Sequence, residues 1–402
     1  MKDYLKQIVK SSNFFYKLYF FLGSFCLRLL GLFVATDENL ILMVVYGGQR
    51  YDDSPRFIYE YMKYLPAYKK YKFKWAFIHP ETVLEVPDHE KIKIDTFSYY
   101  VTALKAKYWI TNSSASRGLN FQKKKTVNIL FQHGMAGLKL LGTDIVTGNQ
   151  SFKLNWKEKL DYIFIEGKKE KDLLISAWGI TEQVLYPIGL PRNDDLVGRT
   201  RPEIDAMKEK LGIPLEKKVI LYAPTFREYN RDSEHAIFLR PPFDFDYWER
   251  ELADEYVLLM TAHYEVAKLM NIPSDHPFVI NAFQYPHIND LMLVSDLLIS
   301  DYSSIIWDYS ILGKPILSFA YDLKQYRKER GLYDGYESIF FHEVMETEEE
   351  VVNYVKTMDY ARECEYTKQY IRDQYLVDYG NITEKCVNIL FSHEAKNEKY
   401  DE

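Results

Sequence analysis

The sequence has few cysteines and lacks several familiar motifs. Its three cysteines, Cys26, Cys364 and Cys386, have no metal-ligand spacing and cannot all pair with one another, which predicts a reducing, cytosolic compartment. There is no Walker A loop, no GxGxxG and no GxSxG, which argues against P-loop kinases, classical dehydrogenases and α/β-hydrolases. An excess of positive charge is also missing. The net charge is −7, which argues against a nucleic-acid binder.

What the sequence does contain fits a two-domain globular protein. Its 402 residues, 47% hydrophobic and 27% charged, are enough for two domains with sizeable cores. Strand-like runs alternate with helix-like runs in two series, from residue 40 to 165 and from 219 to 319. This alternation predicts an α/β protein with two doubly wound domains. A loop rich in Gly, Pro, Asn and Asp follows residue 188, so we place the first domain at 37–195 and the second at 196–402.

The first 36 residues depart from the average composition. This segment contains one acidic residue, Asp3, and five basic residues, Lys2, Lys6, Lys10, Lys17 and Arg28. Residues 14–34 are nearly all apolar, but Arg28 interrupts them, so no uncharged run approaches the ~18 residues of a spanning helix. We predict a membrane-associating helical segment at 1–36, lying on an anionic cytoplasmic leaflet. The alternative is a helix that packs on the protein's own core.

Residues 295–319 are the most informative tract. They predict a strand at 297–300, a polar turn, a helix from residue 305 and a second strand, which together make one βαβ unit. The turn runs from Asp301 to Ser304, at the carboxyl end of a parallel strand and the amino end of a helix. Backbone N–H groups and the hydroxyls of Ser303 and Ser304 can hold phosphate oxygens at such a position. The alternative is a simple helix N-cap, because Ser and Asp are the usual capping residues.

Polar residues also follow three other predicted strands. His133 and Gly134 come after one, Thr225 and Arg227 after another, and His263 after a third. In an open α/β sheet the ligand lies beyond the carboxyl ends of the strands. A single histidine or arginine at such a position is more often structural. Four such positions in one chain indicate a binding site.

Three longer strings carry a resemblance to a known family. They are FQHGMAGLK at 131–139, ILYAPTFRE at 220–228, and residues 294–337, which contain SDYSSIIWDYSILGKPILSF. They resemble the histidine-glycine loop, the first nucleotide-domain strand and the longest shared tract of the CDP-glycerol glycerophosphotransferases, the teichoic acid primases and polymerases of Gram-positive cell walls. Weaker matches lie at 46–62, 108–118, 188–196 and 258–266. All occur in the order of that family.

The resemblance implies a GT-B fold, in which two Rossmann-like domains face a cleft. CDP would be bound by the second domain and the acceptor by the first. The resemblance implies that His133 is the general base on the acceptor hydroxyl and that His263 acts at the transferred phosphate. The substrate-binding residues expected on the same basis are Gly134, Lys139, Thr225, Arg227, Asp301, Ser303, Ser304 and Asp308, the last toward ribose hydroxyls.

The implied reaction is in-line attack of an acceptor hydroxyl on the β-phosphorus of CDP-glycerol or CDP-ribitol, with CMP leaving. It needs no metal and no cofactor beyond the donor. The expected acceptor is a lipid-linked saccharide or polyol phosphate at the cytoplasmic face of the membrane. Departures from the family pattern, such as Gln132 where Trp is usual, bear on the acceptor. Two alternatives are a GT-B glycosyltransferase or epimerase that uses a UDP-sugar, and a catalytically idle membrane-associated scaffold.

Overall fold

The computed structural model describes residues 13–145, 158–225, 227, 242–261, 276–374, 377 and 379–397. Within them the strands form one seven-stranded and one five-stranded sheet. Every strand pair described is parallel. The predicted α/β class with two doubly wound halves is therefore confirmed.

The first sheet has the spatial order β3-β2-β1-β4-β5-β6-β7. Its strands are β1 (Asp37–Val44), β2 (Lys72–Phe77), β3 (Lys91–Lys93), β4 (Ala106–Thr111), β5 (Val127–Phe131), β6 (Tyr162–Ile165) and β7 (Leu185–Pro187). The helices of this half are α1 (Asn13–Phe33), α2 (Asp53–Tyr64), α3 (Phe97–Lys105) and α4 (Lys168–Trp178).

Helices cover both faces of this sheet, and the residues of β1 show the cause. Ile41 and Met43 point to one face, where they share a core cluster with Ile58 of α2. Leu42 and Val44 point to the other face and pack in a cluster with residues of α3. All five side chains are fully buried. A continuous apolar run, such as residues 40–44 of β1, is typical of a parallel sheet buried on both faces.

The second sheet has the order β10-β9-β8-β11-β12. Its strands are β8 (Lys218–Ala223), β9 (Tyr256–Met260), β10 (Val279–Asn281), β11 (Leu297–Ser300) and β12 (Ile316–Ser318). The helices that follow in this half are α5 (Arg201–Lys210), α6 (Phe245–Leu252), α7 (Ile288–Val294), α8 (Ile305–Ser310), α9 (Leu323–Glu329), α10 (Glu348–Thr357) and α11 (Tyr360–Gln374).

Each sheet changes direction next to its first strand. β1 lies between β2 and β4, and β8 lies between β9 and β11. At such a point the connections on either side pass to opposite faces, which leaves a crevice at the carboxyl ends of the strands. The loops after β1, β4, β8 and β11 are therefore the ones that the topology places around a ligand.

The chain crosses between the two sheets twice. The first crossing is a short 3₁₀ helix, Pro191–Leu196. Asp194 in this segment accepts hydrogen bonds from the backbone N–H groups of Ile382, at 2.8 Å, and Thr383, at 2.7 Å. These two residues open the last helix, α12 (Ile382–Asn397). The linker thus caps a helix that belongs to the other end of the chain.

α12 packs on the first sheet. Ile382, Cys386, Val387 and Phe391 are buried in the same cluster as the residues of β1 and α2. The second crossing therefore returns the chain to the domain in which it began. The division of the chain at residues 36 and 195 stays a prediction, and the packing of α12 joins the C-terminal end to the first half.

α1 docks on the first domain through one face and exposes the other. Ser24 is buried, and its Oγ accepts a hydrogen bond from the backbone N–H of Asn120 at 2.9 Å. Arg28 Nε donates to the carbonyl oxygen of Asn120 at 2.8 Å. The exposed apolar residues of the helix are Phe14, Phe15, Leu18, Tyr19, Phe21, Leu22, Phe25, Leu29, Leu32 and Phe33. By length and composition alone, residues 14–33 could cross a membrane.

The two predictions for this segment each describe part of what is found. Packing on the protein's own core applies to the face that carries Ser24, whereas an extended apolar face remains uncovered. The basic residues Lys2, Lys6 and Lys10 lie outside the described residues.

Candidate active site

Two loops from different domains meet at Gly134. This residue follows β5, and a Cβ atom placed on it would lie 2.2 Å from Ser304 Oγ and 2.7 Å from Ser304 Cβ. Ser304 ends the turn after β11. Only a glycine lets the two backbones approach this closely. The structure therefore brings the predicted histidine-glycine loop against the predicted phosphate-binding turn.

His133 is exposed at this junction. Its Nδ1 lies 3.3 Å from the carbonyl oxygen of Asn112, the residue after β4. A carbonyl oxygen can only accept, so Nδ1 carries the proton and Nε2 presents its lone pair. Tyr46, after β1, packs edge-on against the imidazole with the ring centroids 6.3 Å apart. The ring is thus fixed in the tautomer that a general base at Nε2 requires.

The side chains of the turn after β11 do little to cap the helix that follows it. Ser304 is the N-cap residue of α8, but its side chain makes no capping hydrogen bond. Ser303 Oγ accepts from the N–H of Ile305 at the long distance of 3.4 Å. Both serines are partly exposed. The capping alternative therefore accounts for little of this turn, and the hydroxyl of Ser304 lies against Gly134 of the first domain.

Asp301 fixes the position of the turn through hydrogen bonds to its side chain. Its carboxylate is buried and accepts from the N–H of Thr225, after β8, at 2.9 and 3.0 Å. It also accepts from Arg227 Nη1 at 2.9 Å. Thr225 Oγ1 is buried and finds no hydrogen-bond partner among the described residues. Asp301 is thus a support of the turn, and Thr225 contributes an unused hydroxyl.

Arg227 is buried in a cage of carboxylates and rings. Its Nε and Nη2 donate to Asp322 at 2.6 and 2.9 Å, and its guanidinium lies 4.8 Å from the ring centroid of Tyr302. Only 2% of the residue is exposed. Its charge is thus already neutralised by Asp301 and Asp322. Direct contact between Arg227 and a donor stays a prediction.

The carboxylate of Asp308 is also engaged in hydrogen bonds within the protein. Its two carboxylate oxygens accept from Nη2 of Arg192 at 3.0 and 3.1 Å, and Oδ1 accepts from Asn193 Nδ2 at 3.1 Å. The residue is buried. In this structure it therefore binds the interdomain linker, and a contact between Asp308 and ribose hydroxyls stays a prediction.

The same arginine reaches the first domain. Arg192 Nη1 donates to the carbonyl oxygen of Gln132 at 2.8 Å and to the carboxylate of Asp53 at 3.3 and 3.5 Å. Burial alone would raise the pKa of Asp53, but Arg192 and hydrogen bonds from Asn112 and Ser54 outweigh it, so this pKa lies below its usual value. Asp53 therefore remains ionised opposite the guanidinium.

Sequence reasoning missed Arg192 and Asp53. Both lie in strings that matched the family only weakly, at 188–196 and 46–62, and those matches were the signal available. Asp53 also has a left-handed backbone, with φ of +62°. That conformation is uncommon for a residue other than glycine and is often found at functional sites.

Two buried glutamates lie beneath the histidine-glycine loop. Glu170 of α4 accepts from the N–H of Ala136 at 3.1 Å and from the N–H of Glu166 at 3.0 Å. Burial raises the pKa of Glu170 to about 7. Burial, followed by the charge of Asp308, raises the pKa of Glu166 well above its usual value. Glu170 thus supports the loop, and burial favours the protonated form of both carboxyls.

Lys139 lies further along the same loop, where it pairs with the second domain. Its backbone forms an antiparallel bridge with Leu332. The N–H of Leu140 donates to Gly331 O at 3.2 Å, and the N–H of Tyr333 donates to Leu138 O at 2.9 Å. The loop after His133 is therefore joined to the second domain through its backbone, and a substrate contact by Lys139 stays a prediction.

His263 lies outside the described residues. Among the residues that the structure describes, one group could approach a metal ion, and it consists of Asp246, Glu249 and His276. His276 Nδ1 accepts from the N–H of Phe278 at 3.3 Å, so its proton is on Nε2, 3.7 Å from Glu249. A histidine that binds a metal through one ring nitrogen donates a hydrogen bond from the other. Nδ1 of His276 instead accepts one. The group is better explained as a histidine–carboxylate pair.

Comparison with protein families gives one match across most of the chain. Residues 27–392 match the profile described as CDP-Glycerol:Poly(glycerophosphate) glycerophosphotransferase. The chain is 34% identical over 309 residues to a teichoic acid poly(glycerol phosphate) polymerase of Staphylococcus epidermidis, which covers 74% of this chain and 42% of that relative. It is 29% identical over 336 residues to a teichoic acid glycerol-phosphate transferase of Staphylococcus aureus, covering 80% and 85%.

Comparison with solved structures agrees. The wall teichoic acid polymerase TagF superimposes with a TM-score of 0.79 at 28% identity, covering 92% of this chain and 93% of that one. A UDP-GlcNAc 2-epimerase from Neisseria meningitidis gives a TM-score of 0.51 at 16% identity, which shows the fold alone. The predicted GT-B-like architecture is confirmed.

Proposed function

Because the chain belongs to the CDP-glycerol:poly(glycerophosphate) glycerophosphotransferase family, we propose that it transfers an alditol phosphate from a CDP-alditol to an acceptor hydroxyl and releases CMP. Glycerol phosphate is the first choice of group, since the relatives reported above are named for it. The proposed acceptor is a lipid-linked precursor of a teichoic acid or a similar wall or capsule polymer.

One observation carries this proposal. The loop that bears His133 and the turn that bears Ser303 and Ser304 come from different domains, yet they are in contact through Gly134. A base on the acceptor side and hydrogen-bond donors on the phosphate side are the two elements that in-line phosphoryl transfer requires. Their contact supports a reaction between two substrates held by the two domains.

His133 is the proposed general base. An alcohol is a poor nucleophile, so its proton must leave as the new P–O bond forms. Nδ1 of His133 is directed at a carbonyl oxygen, so Nε2 accepts that proton. The electron pair of the acceptor oxygen attacks phosphorus, and the pair of the breaking P–O bond leaves with CMP. The reaction is proposed to proceed without a metal.

The turn is proposed to bind the donor diphosphate. Ser303 and Ser304 supply hydroxyl groups, and Thr225 Oγ1 supplies a third on the neighbouring strand end. Charge develops on the phosphoryl oxygens during transfer, and fixed donors stabilise it. Arg227 and Asp301 fix the turn through their hydrogen bonds, and Arg227 is proposed also to line the donor site. His263 is proposed to contact the transferred phosphate.

The exposed face of α1 is proposed to lie on the cytoplasmic leaflet of the membrane. Phe21, Phe25 and Phe33 are between 62% and 81% exposed. Burying such a surface in the interfacial region is favourable, and the basic residues before it would add attraction to anionic lipid. A peripheral position would hold the first domain beside a lipid-linked acceptor.

A donor and acceptor screen tests the proposal. The protein is incubated with a lipid-linked acceptor and CDP-glycerol, CDP-ribitol or a UDP-sugar, and CMP and the size of the lipid product are measured. Release of CMP together with an enlarged product supports alditol-phosphate transfer. Stabilisation and turnover with the UDP-sugar alone would favour the glycosyltransferase or epimerase alternative.

Substitution of the base makes the test specific. His133→Ala should lower kcat by roughly 10² to 10⁴ while leaving CDP affinity near its wild-type value, because the base acts on the other substrate. His89, an exposed histidine of the same domain, gives the matched control His89→Ala. A fully active His133→Ala protein would remove this residue as the base.

A further inference from the structure

We infer that Arg192 is a positioning residue that sets the spacing between the acceptor loop and the donor turn, an inference that rests on the proposed transfer reaction. It lies in the linker between the domains and is 5% exposed. Its guanidinium contacts Gln132 and Asp53 from the first domain and Asp308 from the second. The predicted site residues did not include it.

Two short paths lead from Arg192 to the proposed base. The first is the carbonyl oxygen of Gln132, which is the residue directly before His133. The second runs through Asp53, whose Oδ2 accepts from Asn112 Nδ2 at 2.9 Å. The carbonyl oxygen of Asn112 in turn accepts from the imidazole of His133. The position of the imidazole therefore depends on the guanidinium through both its backbone and its hydrogen-bond partner.

Two contacts lead from Arg192 to the donor side. Asp308 lies on α8, one helical turn after Ser304, so its position is rigidly linked to that of the turn. Its carboxylate accepts both bonds from Nη2. The carbonyl oxygen of Arg192 also accepts from Asn289 Nδ2 at 2.7 Å. The second domain thus holds this residue by its side chain and by its backbone.

The shape of arginine explains why this residue occupies the junction. Nη1 serves the two acceptors of the first domain and Nη2 serves the acceptor of the second. A planar fork can do this, whereas a lysine ammonium is a point charge that reaches one carboxylate at a time. Without the cation, the buried carboxylates of Asp53 and Asp308 would repel each other. The loops would then move apart.

The test compares the same substitution at two arginines of the linker region. Arg192→Lys should lower kcat by about 10- to 100-fold, because displacing reacting groups by about 1 Å has effects of this size. CDP affinity, measured by calorimetry, should stay at the wild-type value, since no donor contact is removed. Arg199→Lys is the control, because the partners of Arg199 among the described residues are the nearby Asp195 and Glu203.

A distance measurement separates positioning from stability. Spin labels are placed at Leu84→Cys in the first domain and Leu215→Cys in the second, both exposed, in a background where Cys26 and Cys364 are serine. Arg192→Lys should broaden or shift the interdomain distance distribution, measured by pulsed electron paramagnetic resonance. The control variant should reproduce the wild-type distribution.

Three results would overturn the inference. One is a folded Arg192→Lys protein with wild-type kcat and distance distribution. Another is a fall in the turnover of Arg192→Lys that is fully explained by a smaller folded fraction. The third is a variant that loses CDP affinity but keeps the wild-type kcat. If the wild-type protein itself transfers no alditol phosphate, the proposed function fails, and the distance distribution alone decides whether Arg192 fixes the spacing.

Discussion

Gly134→Ala is expected to separate the two halves of the site. A Cβ atom at this position would lie 2.7 Å from Ser304 Cβ and 2.2 Å from Ser304 Oγ. The hydroxyl can rotate away, but Ser304 Cβ is fixed to the backbone of the turn. Carbon atoms prefer a separation of about 3.5 to 4.0 Å. The loop must therefore retreat by about 1 Å, a displacement that can lower turnover by about 10²-fold.

The assay is kcat for alditol-phosphate transfer, measured with CDP affinity and unfolding temperature on the same preparation. CDP affinity should change little, because the serines of the turn are intact. The glycine is not in the left-handed region, so alanine meets no backbone strain and the effect is steric. Gly31→Ala on α1 is the matched control, since its new Cβ would meet two flexible side chains, Leu104 Cδ2 at 3.1 Å and Lys123 Cε at 3.7 Å.

A double-mutant cycle tests the cause. In a Ser304→Gly background both clashing atoms are absent, so adding Gly134→Ala should cost much less turnover than it does in the wild-type protein. Equal losses in the two backgrounds would refute the steric explanation. Wild-type turnover in Gly134→Ala would refute the close approach of the two loops itself.

Further predictions concern the donor, the membrane and pH. Replacing both Ser303 and Ser304 by alanine should weaken CDP-alditol binding by ~1 to 3 kcal/mol, because hydrogen bonds to charged oxygen are lost, and unchanged affinity by calorimetry would remove the assignment. Replacing Phe21 and Phe25 by glutamate should release the protein from anionic vesicles in a co-sedimentation assay without lowering the unfolding temperature, since the docked face of α1 is untouched; continued co-sedimentation would assign the contact to another surface. Burial raises the pKa of Glu170 from 4.5 to about 7, so the folded protein keeps a proton that the unfolded chain has lost. The free energy of unfolding should therefore fall as pH rises through this interval, by on the order of 3 kcal/mol from this group. Denaturant unfolding at several pH values should show a smaller fall in Glu170→Gln, and an equal fall would assign the effect elsewhere.

The strands at the centre of each sheet could be predicted from sequence because they are apolar at nearly every position. β11 was predicted with its observed bounds, and β8 differs by one residue. The edge strands β3, Lys91–Lys93, and β7, Leu185–Pro187, were missed. Each has only three residues, KIK and LYP, which are too few for an alternation or an apolar run to be recognised. Their pairing depends on the neighbouring strand rather than on their own composition.

The candidate site could be predicted in part for the same reason. His133 and the Ser303-Ser304 turn follow strong central strands, so the strand-end rule finds them. Arg192 and Asp53 are 139 positions apart and lie in polar segments typical of a surface. They become buried only when the two domains meet. The pairing of Arg227 with Asp322 could not be predicted either, because the two residues are 95 positions apart.

The return of the last helix to the first sheet matters for how this protein can be divided in the laboratory. A fragment ending at residue 195 would lack Ile382, Cys386, Val387 and Phe391, which complete the core beside α2. Such a fragment would expose the apolar surface that these side chains cover and would tend to aggregate. A fusion that joins residues 13–195 to 380–397 through a flexible linker would restore the missing part of this hydrophobic core. Expressed in that form, the first domain should stay soluble and could be studied in binding experiments without the second domain.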